Sequence, residues 1–297
     1  MKEKPLLPQH SRYDYVPLTE RKDYSWPHGK RLAFALTTNI EWFAFGAGLG
    51  HDPAKTGEPQ THRNYAWRDY GNRIGVWRLF ELLDELGLPA GHCTNTLVYD
   101  YAPQITDAIR RRGDELIAHG RTNAENLLGL WQPDEERILR EVTETIARHE
   151  GRAPAGWLGA GAYETPHTPD LLKELGYRYL MDWPMDDQPV WLSTRAGPLL
   201  SVPYPIETDD AQAIIHRKWS AVAFADAVVD QFDEMLAQSE RDALVMNVSL
   251  HPYVFGQPFR LRRLRSALKH CLLRPGVWYC RPGEIAAHCY SLGESVT

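Results

Sequence analysis

Apolar residues recur along this chain with two periods. Arg31–Thr38 (RLAFALTT) is a short, largely apolar run suited to a strand buried on both faces. Asn72–Leu86 (NRIGVWRLFELLDEL) instead spaces Val76, Phe80 and Leu83 along one helical face, and Gly87 closes it. The alternation continues, with further strands predicted near Ala90–Leu97, Glu115–Ala118, Tyr177–Met181, Leu199–Val202, Ala243–Leu250 and Val277–Cys280. Helices are predicted near Gln104–Arg112, Pro133–Glu150, Ala221–Gln238 and Phe259–His270, and in the second of these Ile138, Val142 and Ile146 stack at i, i+4 and i+8. Thr168-Pro169 reads as an N-cap with proline at the first helical position, and Gly176 as a helix stop.

Buried strands alternating with amphipathic helices predict an α/β fold on a parallel sheet. The number of units, without a Gly-rich nucleotide fingerprint, favours a distorted (β/α)7-8 barrel, closed or nearly closed. Residues 1–30 mix Pro, Tyr and charge without a sustained period and read as an irregular arm packed on the barrel. Residues 31–297 read as a single barrel domain.

Composition narrows the picture further. With 43% hydrophobic residues in 297, the chain can bury a large core. A formal net charge of −6 provides no basic field for nucleic-acid phosphates or anionic lipid, so neither nucleic acid nor membrane is an expected partner. The first thirty residues lack the apolar core of a signal peptide and no later stretch reaches spanning length, which gives a cytoplasmic expectation. Cys93, Cys271, Cys280 and Cys289 form no CxxC pair and read as buried free thiols.

Barrel enzymes build their sites where strands end, so the residues just beyond each strand carry the candidate chemistry. Asn39 and Glu41 follow the first strand, Asn95 the second and His119 the third. Tyr163 and Glu164 follow the fourth, Asp182 with Asp186, Asp187 and Gln188 the fifth, Tyr204 and Glu207 the sixth, and His251 the seventh. One polar residue at a strand end only solvates a rim. Seven in register predict a shared mouth. Glu41, His119 and His251 are the groups suited to proton transfer. For His251 taken alone, a core histidine bonded to a backbone carbonyl is the competing explanation.

In MDWPMDDQPVW, three carboxylates sit among Trp183, Pro184, Pro189 and Trp191, where ionised groups need partners. Both substrate binding and an Asp–Arg lock fit, with Arg68 and Arg73 as candidate partners. Among the aromatic residues, Trp42, Trp67, Trp157, Trp183 and Trp191 flank the loops and suit a planar ring or a sugar face, although most tryptophans in a barrel are core.

The order Asn39-Ile40-Glu41, DYGNRIGVWRL, AHGRTN, RAPAGWLGAG, DWPMDDQPVWL and SLHPYVFGQPFRL resembles the NodB-type polysaccharide-deacetylase superfamily over about residues 30–290. It resembles especially the intracellular branch of allantoinase-like and cyclic-imidase-like proteins. That resemblance implies a hydrolase of non-peptide C–N bonds and a homo-oligomer. In metal-dependent members an acidic pair and an H-x3-H motif hold a divalent ion, and a later histidine protonates the leaving group. Here Glu41 is the single carboxylate of the first motif, Asn123 replaces the second histidine, and His251 matches the later one. A tightly held zinc is therefore not expected, since an amide is a poor zinc ligand; Glu41, His119 and Asn123 are the set to test for a weakly held divalent metal.

The expected reaction is amide-type hydrolysis of a small cyclic amide, imide or ureide. Glu41 and His119 would position a water, one of them acting as base, and His251 would protonate the departing nitrogen. Asn39, Asn95 or the backbone near Gly159–Gly161 would stabilise the oxyanion. Asn39, Asn95, Trp157, Glu164, Asp182, Asp187 and Trp191 are the expected substrate-binding residues. The alternatives are a metal-dependent N-deacetylase of an N-acetyl sugar and a catalytically silent ligand-binding barrel. A glycosidase using Glu41, Glu164 or Asp187 is disfavoured by the two strand-end histidines.

Overall fold

The strand Leu32–Ile40 (β1) is buried along all nine residues. In this computed structural model, which describes residues 7, 9–46 and 60–293, β1 is the central strand. After it come helices His62–Tyr70 (α1) and Val76–Leu86 (α2), joined by a π-helical turn at Gly71–Gly75. Next are Gly91–Thr94 (β2), Val98–Tyr101 (α3), Pro103–Arg112 (α4), Glu115–Ala118 (β3) and Gln132–Glu150 (α5). Gly156–Trp157 (β4), Thr168–Glu174 (α6), Tyr179–Leu180 (β5), Val190–Leu192 (β6) and Leu199–Ser201 (β7) follow. A second π-helical turn, Ala211–His216, leads into Ala221–Gln238 (α7), Leu244–Leu250 (β8), Pro252–Phe255 (α8), Pro258–Leu272 (α9), Val277–Cys280 (β9) and Pro282–Leu292 (α10).

The strand order is β6-β7-β5-β4-β3-β2-β1-β8. On one edge β1 pairs with β8 from Leu32 to Thr38; on the other it pairs first with β9 (Leu32–Ala35) and then with β2 (Thr37–Ile40). This mid-strand change of partner is what distorts the barrel. The sheet curls back on itself, and among the described residues isolated contacts bridge the remaining gap. Asp209 bridges Ser249 of β8, and Val245 N–H donates to Asp187 O at 2.8 Å.

Most predicted elements appear within a residue or two of their expected bounds. Four details differ. The sheet is not wholly parallel, because β6 runs antiparallel to β7: the link from Leu192 to Leu199 is too short for the crossover that parallel strands require. The helix expected from Asn72 begins at His62 and passes through the π-helical turn, where a Cβ on Gly75 would collide with Pro252 O. Thr168 lies inside α6, with His167 at the cap position. The arm also does more than lie on the surface: Trp26 is 1% exposed and its Nε1–H donates to Leu244 O at 2.9 Å. Residues 1–6 and 8 of the arm, and 294–297 at the end of the barrel segment, lie outside the described residues. All four cysteines are buried and unpaired, as expected. Among the described residues no helix is long and apolar enough to cross a membrane.

Candidate active site

Glu41, His119 and His251 each stand one residue beyond a strand, at the ends of β1, β3 and β8. Parallel strands bring these ends to the same face, and the three side chains line one cavity of about 700 Å³. His119 Nε2 lies 3.7 Å and His251 Nε2 lies 3.6 Å from the same oxygen, Glu41 Oε1. Each ring is anchored through its other nitrogen. His119 Nδ1 is 2.7 Å from Leu158 O, and His251 Nδ1 is 2.7 Å from Asp210 Oδ1. A carbonyl and a carboxylate can only accept, so both rings carry hydrogen on Nδ1 and turn Nε2 toward Glu41.

Electrostatics separate the roles of the three groups. Burial opposes charge on Glu41, yet His251 and His119 outweigh it and draw the carboxyl down to about 2. Burial likewise opposes the His251 imidazolium, but Tyr253, Glu41 and Asp210 hold its pKa well above the ordinary histidine value. Burial raises Asp210 to about 6, an effect partly offset by His251. At neutral pH the site thus contains an ionised Glu41 and a charged His251. His119 Nε2 and Glu41 Oε2 are buried without a hydrogen-bond partner among the described residues, the arrangement of a site shaped for something polar.

Asn123 donates to Glu41 Oε1 at 2.5 Å. Its orientation is fixed by a relay that starts at the backbone. Trp42 N–H donates to Asn95 Oδ1 at 2.8 Å, so Asn95 Nδ2 is left to donate to His119 O and, at 3.0 Å, to Asn123 Oδ1. Asn123 therefore presents its NH2 to the carboxylate. A donor nitrogen cannot ligate a metal, so the proposed set of Glu41, His119 and Asn123 does not fit one. Among the described residues the group of three or more His, Cys or acidic residues with ligand atoms all within 4.8 Å of one another is Asp209, Asp210 and His251. Their oxygens are committed elsewhere: Asp210 to the backbone and ring of His251, Asp209 to Ser249 Oγ and Gln212 N. Zinc at the second group would have to displace these hydrogen bonds.

No protein-family model matches the chain. Among curated proteins it is 24% identical, over 88% of its length and 91% of the relative's, to a Schizosaccharomyces pombe protein assigned to the polysaccharide deacetylases. It is 25% identical to the peptidoglycan deacetylase of Helicobacter pylori, over 73% of this chain and 84% of that one. Among solved structures, PuuE allantoinase superposes with a TM-score of 0.86 at 22% identity, covering 95% of this chain and 99% of that one. A Mycobacterium smegmatis structure described as a polysaccharide deacetylase gives 0.76 at 26% identity, covering 93% and 96%. The chain is similar to polysaccharide and peptidoglycan deacetylases and has the NodB-like barrel fold.

Within this polysaccharide-deacetylase-like barrel, the other expected site residues divide. Asn39 and Asp182 line the cavity with the three central groups. Asn95 does not; it orients Asn123 from behind. Trp157 is fully buried in a core cluster, and Trp191 faces a separate hollow beneath the arm, formed with residues such as Tyr13 and Arg21. Asp187 is exposed beside that same arm. These three are corrections: the strand ends β4 and β6 turn their side chains inward or toward the arm. Glu164 sits behind Asp182 and accepts from Trp183 Nε1 at 2.7 Å. Burial raises both acids, Glu164 to about 7 and Asp182 well above its usual value; Glu164 adds to the Asp182 shift, while the contact with Asp182 lowers Glu164.

The acid-arginine lock exists with a different arginine. Arg21 of the arm clamps Asp186 through both oxygens, at 2.7 and 2.6 Å. Arg73 instead lies 3.9 Å from Asp69, while Arg68 lines the active-site cavity with its guanidinium over Phe43. Glu207 is tied to Arg217 outside the cavity. The expected oxyanion donors are also occupied: Gly159 N–H donates to Asp182 Oδ1 at 2.7 Å, and Asn39 Nδ2 donates to Tyr204 and Ser249. Asp210 is the residue the sequence reading missed. Its signal was the acid pair Asp209-Asp210, one turn beyond Glu207, which nothing local linked to His251.

Proposed function

We propose that this barrel hydrolyses a non-peptide C–N bond of a small cyclic amide, imide or ureide. The supporting observation is the meeting of Glu41, His119 and His251 in one cavity, with two Nε2 atoms turned toward one carboxylate oxygen. A water bridging Glu41 and His119 would donate one hydrogen bond to each. Glu41, held near 2, is a weak base, so the His119 Nε2 lone pair takes the proton as oxygen adds to the carbonyl carbon. The C–N bond then breaks, and His251 Nε2–H delivers its proton to the departing nitrogen. Net, water is consumed and the bond is replaced by a carboxyl and an N–H; the two histidines reset by exchanging protons with solvent. His251, while charged, also opposes the negative charge developing on the carbonyl oxygen.

The superposition on PuuE allantoinase over nearly its whole length favours a ureide-type substrate. The deacetylase names of the curated relatives favour a second reading, removal of an acetyl group from an N-acetyl sugar. Purified protein stripped with chelator and incubated with hydantoin, dihydrouracil, succinimide and N-acetylglucosamine separates the two. Ring opening that survives chelation and gains nothing from added Zn²⁺ supports the proposal. Acetate release that requires Zn²⁺, with no ring opening, overturns it.

A further inference from the structure

Asn39 occupies the cavity wall between Glu41 and a closed hydrogen-bond network. Its Nδ2 donates to Tyr204 O–H at 2.9 Å and to Ser249 Oγ at 3.0 Å. Tyr204 and Ser249 lie 2.5 Å apart, and Ser249 Oγ donates to Asp209 Oδ2 at 2.6 Å. The direction of this network follows from counting hydrogens. Asp209 accepts, so the Ser249 hydrogen goes to it; the Tyr204 hydrogen then goes to Ser249. Burial pushes the Tyr204 phenol well above its ordinary range, with Asp209 and Cys93 adding to the shift, so that hydrogen is retained.

Neither hydroxyl has a hydrogen left for Asn39. Turning the amide over would bring its oxygen against two oxygens with nothing between them. The nitrogen must therefore face the network, and Oδ1 is the amide edge left for the cavity that Asn39 lines. Among the described residues Oδ1 receives no hydrogen bond, and it is not among the sealed unpaired atoms, although the residue as a whole is 2% exposed. A buried amide oxygen fixed in direction and left without a donor is an acceptor waiting for one.

We infer that Asn39 Oδ1 is a specificity element that reads an N–H group on the substrate, selecting unsubstituted imides and ureides over their N-alkylated forms and over esters. The inference rests on the hydrolytic reading above and narrows its substrate class. On an imide or ureide ring the N–H is the group that can donate to this oxygen; an N-methyl group would set carbon against it, and an ester linkage offers no donor. A site built around a buried polar partner rejects analogues lacking it far more strongly than an apolar pocket rejects an extra methyl.

The test uses two substrate pairs, succinimide with N-methylsuccinimide and hydantoin with its N-methyl derivatives, on the full chain. The wild type is expected to prefer the N–H member by at least about tenfold in kcat/KM. Asn39→Ala and Asn39→Ser should collapse that preference while the pH profile stays near wild type. Ser249→Ala, which removes one of the two acceptors that orient the Asn39 amide and leaves the Tyr204 hydrogen to Asp209, should weaken the preference without removing it. A wild type that treats both members alike, or a preference that survives in Asn39→Ala, overturns the inference. Calorimetric binding of the same pairs to the Glu41→Gln variant keeps the two proposals apart. Selective binding of the N–H member without turnover in the wild type defeats the hydrolytic reading and leaves this one standing; equal binding or none defeats this one.

Discussion

Asp210 holds His251 at two points, accepting its backbone N–H at 2.9 Å and its ring Nδ1–H at 2.7 Å. The ring cannot rotate without breaking the second bond, and the adjacent carboxylate favours its charged form. Asp210→Asn keeps an oxygen acceptor and removes the charge. The His251 pKa should fall, and the alkaline limb of the kcat/KM profile should move to lower pH. A limb that stays in place would show that His251 is not the acid titrating there.

Glu41 sits between the two histidines. Glu41→Gln should lower kcat/KM, because it removes the carboxylate that orients the water beside His119 and holds His251 charged. Its effect on stability has a defined sign. Because the folded carboxyl is depressed to about 2, its ionisation stabilises the fold above the ordinary glutamate value and is lost as pH falls through 2. The gap in melting temperature between wild type and Glu41→Gln should therefore be wider at neutral pH than in strong acid, as read by circular dichroism.

The Glu164–Asp182 pair predicts the opposite trend. Burial raises Glu164 from its ordinary 4.5 to about 7, with Glu135 adding to the shift and Trp183 and Arg12 opposing it. A raised carboxyl favours the fold at pH below its unfolded value, and that contribution disappears as pH climbs toward 7. Melting temperature should decline across this window in the wild type. Glu164→Gln should flatten the decline, and an unchanged slope would count against the pair as its source.

Gly75 and Gly256 meet backbone to backbone, and a Cβ on either would strike the other's chain or Pro252 O. This contact seats α8 directly after His251. Gly75→Ala should cost about 3 kcal/mol or more, the upper range for forced overpacking, measurable by urea denaturation. Activity of the folded fraction should drop with it, since the backbone that carries His251 must shift.

Much of the site was legible before any coordinates. The strand-end rule applied to RLAFALTT and to ELIA places Glu41 and His119 at one mouth, because parallel strands share a direction. It failed where strands are too short to fix a facing. β4 is only two residues long, and its Trp157 went to the core; β6 turned antiparallel and carried Trp191 to the arm. Arg21 was overlooked because the arm shows no period, yet its guanidinium clamps Asp186 across 165 residues of sequence.

Local hydrophobic period and chain order were enough to set the alternation of elements, the barrel class, and which ionisable groups stand beyond the strands. The partner of His251 and the amide orientations of Asn39 and Asn123 came from the fold. Those depend on hydrogen bonds between segments far apart in the chain, where each donor's direction is set by what the next group can still accept.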